Sequence, residues 1–186
     1  MNKWAKDFYQ PKVLDGSILA SYRLQGLNTD LPGFNQFESH GTYEIYVFEE
    51  GQCDYFIHNK KYDLQPGDII LLDRFTLHKT NTVTPDTYVR STIHFSPAWL
   101  GRVFPVLGMP NLLDPFQKLN NCILRTGFDS SGKYVAEKIK WLAKQLEIID
   151  QEFQSTGKIN QILETELKIE FLQLLMKIYK MSQCPQ

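Results

Sequence analysis

Residues 40–78 read HGTYEIYVFEEGQCDYFIHNKKYDLQPGDIILLDRFTLH, and the reading of this stretch decides the fold. Three apolar and aromatic runs, residues 43–48, 55–57 and 69–72, are separated by short turn signals. These are Glu49-Glu50-Gly51, Asn59-Lys60-Lys61 and Gln65-Pro66-Gly67-Asp68. β-Branched and aromatic side chains at that spacing predict consecutive short antiparallel strands of a sandwich or barrel. The sharpest turn is Pro66-Gly67: proline fixes φ at the first corner, and glycine accepts the positive φ that a type II turn needs at the second. Groups able to touch a ligand or metal stand at both ends, with Glu38, His40 and Glu44 before the turns and His78 after them.

The rest of the chain is consistent with a folded domain. Over 186 residues, 42% are hydrophobic and 13% aromatic, ample for a buried core. A formal net charge of −1 does not supply the basic surface by which a chain grips a phosphate backbone. No N-terminal stretch has the order of a signal peptide, and no run approaches the ~18 apolar residues of a membrane span. The three cysteines (Cys53, Cys122, Cys184) are odd in number and outside any metal-type spacing, which suits a reducing cytoplasm.

Working outward, residues 17–24 (SILASYRL) predict a first strand and Leu31-Pro32-Gly33-Phe34 a turn. Before them, Trp4, Phe8 and Tyr9 lie in a terminus without a clear period. Along residues 43–48 a period of two puts Glu44, Tyr46 and Phe48 on one face and Tyr43, Ile45 and Val47 on the other. Residues 88–95 (YVRSTIHF) predict another strand, with Tyr88, Arg90, Thr92 and His94 sharing a face. Ser96-Pro97 is a plausible helix start, Pro105, Gly108 and Pro110 break the next segment into an irregular connector, and residues 122–126 form a short strand.

After Gly127 the pattern changes. Val135, Ile139, Leu142, Leu146, Ile149 and Phe153 recur at steps of three and four, predicting an amphipathic helix from Lys133 to about Gln154, stopped by Ser155-Thr156-Gly157. A second helix begins at Lys158. Its later half, with Ile169, Phe171, Leu172 and Leu175, is apolar on more than one face and so demands burial on two sides. Both helices could simply cover their own sheet, or one side could be covered by a partner subunit.

The stretch His40-Gly41-Thr42-Tyr43-Glu44 with Gly51, then Pro66-Gly67-Asp68 with His78, resembles the two motifs of the cupin family. Continued through residues 90–97 (RSTIHFSP), the block looks most like the effector-sensing cupin domain of AraC-type transcription regulators. One departure stands out: a metal-binding cupin carries a His where this chain has Glu38. The resemblance implies a mainly β fold with C-terminal helices: a cupin-type double-stranded β-helix (jelly-roll) barrel, then an antiparallel helix pair. The expected divisions are an arm over 1–14, the sensing barrel over 15–126, a helical dimerisation subdomain over 127–181 and a tail or linker start over 182–186. The arm would fold over the pocket. The helix pair would carry a homodimer contact. DNA would be touched only through helix-turn-helix units absent from this chain, whose tail ends without a basic recognition helix.

The expected role is non-enzymatic: sensing of a small polar metabolite, with carbohydrate the class that the resemblance favours, and with no cofactor, no resident metal and no membrane contact. Hydroxyl-rich ligands are best held by carboxylate, imidazole, guanidinium and phenol groups in a concave pocket. His40, Glu44, Tyr46, His78, Arg90 and Thr92 supply those types. The competing reading is a small metal-dependent cupin enzyme (isomerase, epimerase or dioxygenase), in which His40, Glu44 and His78 would be the two-imidazole, one-carboxylate set that holds Fe(II) or Zn(II). A third is a structural cupin whose interior is filled by apolar side chains. His58, at a hairpin tip, reads as solvated, and His94, near a strand end, as a wall residue. There is no nucleophile elbow, no Gly-rich phosphate loop and no Cys beside a His.

Overall fold

A computed structural model describes residues 18–25, 36–82, 87–118 and 123–183. Along these residues run β1 (Ile18–Gln25), β2 (Tyr43–Glu50), β3 (Cys53–Ile57), β4 (Lys60–Asp63), β5 (Asp68–Leu72), β6 (His78–Thr82), β7 (Val89–Phe95), α1 (Leu100–Val106), α2 (Asp114–Gln117), β8 (Ile123–Arg125), α3 (Ser130–Thr156) and α4 (Gln161–Gln183). The strands form two antiparallel sheets, ordered β1-β7-β2-β5-β8 and β4-β3-β6. The arm (1–14), the 31–34 turn and Cys122 lie outside the described residues.

The period of two in β2 sorts its side chains into two cores. Tyr43, Ile45 and Val47 join Ile69, Leu71, Ile93 and Phe95 under the helices, against Val135, Ile139, Leu142 and Phe171. Tyr46 and Phe48 point the other way, into the space between the sheets, where they meet Tyr55, Ile57, Ile70, Leu72 and Tyr88. β2 is therefore buried on both faces up to Glu49. In register, Glu44 faces His94, Tyr46 faces Thr92 and Phe48 faces Arg90 across the β2–β7 pair.

Two strands are polar enough to escape the hydrophobic pattern. β4 (KKYD) occupies part of the expected Asn59-Lys60-Lys61 turn, which shrinks to His58-Asn59; it is an edge strand, where lysines guard against stray pairing. β6 (HKTNT) pairs along the whole of β3. The helix expected at Ser96-Pro97 starts later, at Leu100, and runs through Pro105 instead of stopping there. α1 is only 7 residues long, so Pro105 falls in its last turn and few backbone bonds are lost.

The Pro66-Gly67 turn has the expected left-handed glycine, at φ 92°. It also needs glycine for space, since a Cβ there would lie 2.3 Å from the Phe128 nitrogen. The Thr126 hydroxyl donates to the Gly67 carbonyl (2.7 Å), so this hairpin turn is seated on the segment that opens α3. Asp129 caps α3 by accepting from the Ser131 and Gly132 N–H groups (2.8 Å each), and Gly157 ends it at φ 66°. Asn160 accepts from Ile162 and Leu163 at the start of α4. Lys138 pairs with Glu170 and Lys177 reaches Ser131, contacts that set α3 and α4 antiparallel. The two-sided burial demanded of α4 is largely met inside the chain, by the sheet and α3. Ile162 (73% exposed) and Ile169 (50%) remain outside it.

Candidate functional site

The β2–β7 register places Glu44 opposite His94, and two loops bring further imidazoles to the same carboxylate. Residues 38–42 lead into β2. They are tied to the start of β6 by a two-way backbone bridge, Glu38 N–H to His78 carbonyl (2.9 Å) and His78 N–H to Glu38 carbonyl (3.0 Å). The Phe75 N–H donates to the His40 carbonyl (2.9 Å), joining the same two segments again. His40 Nε2 stands 3.1 Å from Glu44 Oε2, His78 Nε2 3.7 Å from that oxygen, and His94 Nε2 3.8 Å from Oε1. The His40 ring is edge-on to both others, with centroids 5.1 Å from His78 and 4.9 Å from His94.

Glu44 is 5% exposed and His78 2%, while His40 and His94 are half-buried and Glu38 is exposed. Burial alone would raise the Glu44 carboxyl pKa, but His94, the hydrogen bond from His40, and His78 reverse that and hold it down at about 2. The same hydrogen bond to Glu44 raises His40 despite partial burial. The geometry agrees, since His40 Nδ1 lies 3.0 Å from the Thr42 carbonyl and both ring nitrogens therefore face acceptors. His78 Nδ1 donates to the Thr76 carbonyl (2.8 Å), turning Nε2 toward Glu44 and toward Glu38 at 3.6 Å. Its ring lies parallel to Tyr55, centroids 6.1 Å apart.

Of the six candidate residues, His40, Glu44 and His78 come together. The others do not join them. Tyr46 is 2% exposed and its hydroxyl is 2.5 Å from that of Tyr88, inside the packed core between the sheets. Thr92 lies opposite Tyr46 in the same layer and is buried. Arg90 is four residues from His94, about 13 Å along an extended strand, with its guanidinium 4.9 Å over the Tyr88 ring. A shared strand face is not a shared site, because alternation fixes the side but not the distance along it. His94, expected to be a wall residue, instead belongs to the cluster. A signal existed, since alternation put it on the inward face. What was missing was the register that sets it against Glu44. His58 is exposed at its turn, as expected.

The converging donor set also differs from the expected one. Ligand atoms of His40, Glu44 and His94 lie within 4.8 Å of one another. The cluster offers an anionic acceptor, an imidazole N–H donor and further ring nitrogens at a solvent-reaching end of the inter-sheet space. That equipment suits a polar, hydrogen-bonding ligand or a cation. Among the described residues, no helix is long and apolar enough to cross a membrane.

Two antiparallel sheets over a common interior, a polar cluster at one end and a covering helix pair define a cupin-type ligand-binding domain. The AraC-like ligand binding domain family matches residues 24–172, and the chain belongs to that family. No curated protein sequence matches it. Among solved structures, apo ToxT K231A from Vibrio cholerae is similar at 18% identity and a TM-score of 0.51, over 88% of this chain and 56% of that one. A second Vibrio cholerae ToxT structure gives 15% identity and 0.43, over 87% and 80%. DMSP lyase DddQ from Ruegeria pomeroyi gives 22% and 0.34, over 43% and 39%. The chain thus spans well under two thirds of two of these structures. At 18% identity the likeness to the apo ToxT K231A structure concerns the fold alone.

Proposed function

We propose that this chain is the effector-sensing and dimerisation part of an AraC-type transcription regulator, and that its effector is a small polar metabolite of the carbohydrate class. The observation that carries the reading is the buried Glu44 carboxylate, ringed by His40, His78 and His94, in a domain of the AraC-like ligand-binding family. A carboxylate held ionised by imidazoles accepts hydroxyl hydrogen bonds strongly, and the half-buried rings leave it reachable. The homodimer forms through the C-terminal helices, where Ile162 and Ile169 repeat after seven residues on α4 and stay exposed. DNA contact belongs to units beyond this chain. Effector binding shifts the population between arrangements by its difference in affinity for them.

A thermal-shift series with monosaccharides and small polar metabolites tests this, because a ligand that binds only the folded state raises the unfolding midpoint. We expect a midpoint rise with a member of the carbohydrate set, its loss in Glu44→Ala, and its retention in Arg90→Ala, whose guanidinium stands far from the cluster. A Glu44→Ala variant that responds like the parent would refute the site.

A further inference from the structure

Phe75 stands at the open end of the domain in a conformation that its side chain does not favour. It lies between β5 and β6, in the connection over residues 73–77, at φ 68°. We propose that its ring is an aromatic platform at the mouth of the Glu44 cluster, and that it makes the site select a cyclic sugar over an open-chain polyol. This selectivity rests on the sensing reading above and deepens it.

The left-handed turn serves the cluster, but it does not need the ring. The Phe75 N–H donates to the His40 carbonyl (2.9 Å), and the carbonyl of the next residue, Thr76, accepts from His78 Nδ1 (2.8 Å). Peptide groups on either side of one left-handed residue therefore hold two of the three imidazole segments. The Thr76 hydroxyl also donates to Asp73, closing the connection on itself. Glycine would reach the same positive φ without a Cβ penalty and would keep the same N–H. A phenylalanine there is strained. Core packing does not offset that strain: Phe48 and Phe95 are fully buried, whereas the Phe75 ring is 68% exposed.

The ring lies beside the entrance. One of its edge atoms is 4.0 Å from where a Cβ on Gly41 would stand, and Gly41 follows His40, whose side chain is 27% exposed. The Arg74 guanidinium, 5.8 Å from the ring centroid, steadies it by cation–π attraction. An exposed aromatic ring is thus joined to a carboxylate held ionised by imidazoles. A pyranose carries hydroxyls around its edge and C–H groups on its faces. The edge suits the Glu44 carboxylate and the imidazole N–H donors, and the apolar face suits the electron-rich face of an aromatic ring. An open-chain polyol brings similar hydroxyls but no flat face, and it loses more rotational freedom on binding.

The test compares D-glucose, D-galactose, D-mannose and D-xylose, each with its own alditol, by unfolding midpoint and titration calorimetry. The parent should bind one of these pyranoses about 10-fold or more tightly than the matching alditol. Phe75→Gly and Phe75→Leu should each weaken that pyranose by about 10-fold, the scale of one aromatic contact, and leave the alditol within about 2-fold. Phe75→Trp should keep the preference, and its emission should shift on adding the pyranose by more than the parent's does. Near-UV circular dichroism checks folding, with Phe75→Leu standing in for any Phe75→Gly that is not folded. Three results overturn the platform and leave the sensing reading standing. They are equal affinity of the parent for pyranose and alditol, the parent's preference in a folded Phe75→Gly or Phe75→Leu, and Phe75→Trp emission unmoved at saturating pyranose. A parent that responds to none of these sugars or alditols ends the carbohydrate reading and the platform with it.

Discussion

One face of β2 is used in two ways. Glu44 and Tyr46 are successive residues of the row that points between the sheets, each opposed by a residue of β7, yet they belong to different kinds of surroundings. At the Tyr46 level the space is closed. Tyr46, Tyr55, Tyr88 and Phe48 are each almost wholly buried, and the two hydroxyls of Tyr46 and Tyr88 satisfy one another. Burial drives the Tyr46 and Tyr55 phenols well above their usual range, and raises Tyr88 and Cys53 as well, the latter to about 12, so none ionises at ordinary pH. At the Glu44 level the charge is retained, because three imidazoles substitute for the lost hydration. Neutral polar groups can pair off and become core. A buried carboxylate needs a shell of donors, and around Glu44 that shell is open to solvent at the half-buried His40 and His94.

The largest effect should come from the closed level. Tyr46→Ala empties an aromatic side chain from the core and strands the Tyr88 hydroxyl, costing about 3–5 kcal/mol in urea unfolding. Glu44→Gln keeps the volume and still offers His40 an amide oxygen, so its cost at neutral pH should be mainly the charge-dependent part, about 3 kcal/mol, at or below the low end of the Tyr46→Ala range. Equal losses in the two variants would mean that Glu44 is as structural as Tyr46.

The acid limb comes next. The Glu44 carboxyl lies at about 2 when folded, against an ordinary 4.5. A depressed carboxyl stabilises fully above its unfolded pKa, and that stability drains away as pH falls from about 4.5 toward 2, about 3 kcal/mol in all. His40 works in the opposite direction. Its pKa is raised, so its contribution is complete below 6.5 and declines as pH rises through the folded value. Denaturant unfolding at a series of pH values should therefore show a steep acid limb that flattens in Glu44→Gln, and a gentler alkaline decline that disappears in His40→Gln. A Glu44→Gln variant with the parent's acid limb would break the contrast between the two levels.

Much of this was legible in the residues. The alternation in 43–48 correctly separated the helix-facing core from the inter-sheet row, because both are local consequences of a two-residue period. Pro66-Gly67 declared its turn, and the steps of three and four from Val135 to Phe153 declared α3. The polar strands β4 and β6 were not legible, since an edge strand and a strand with one wet face need few apolar residues. Nor was the composition of the cluster. Arg90, Thr92 and His94 are indistinguishable by alternation, and only pairing with β2 decides that His94 meets Glu44 while Arg90 meets Phe48. Register is a non-local quantity, and it assigned the site.

The smallest expected effect has the opposite sign. Phe75 adopts φ 68°, a left-handed conformation that a bulky side chain seldom takes and that costs on the order of 1–3 kcal/mol. Its ring contributes little in return, being 68% exposed with the Arg74 guanidinium 5.8 Å from its centroid. The strained residue stands where the two cluster segments are joined, its N–H on the His40 carbonyl and its ring edge 4.0 Å from where a Cβ on Gly41 would be. Glycine removes the strain and keeps that N–H, at the cost of a more flexible unfolded chain, worth about 0.4–1 kcal/mol. Phe75→Gly should therefore leave the domain as stable as the parent or up to about 1 kcal/mol more so. A loss above 1 kcal/mol in denaturant unfolding would show that the ring packs in solution, and the solvent-facing end of the site would then be more closed than its level on β2 implies. A neutral or favourable result would leave an aromatic ring, held in a costly conformation beside His40, with no structural reason to be there, as expected of a residue kept for contact with what the cluster binds.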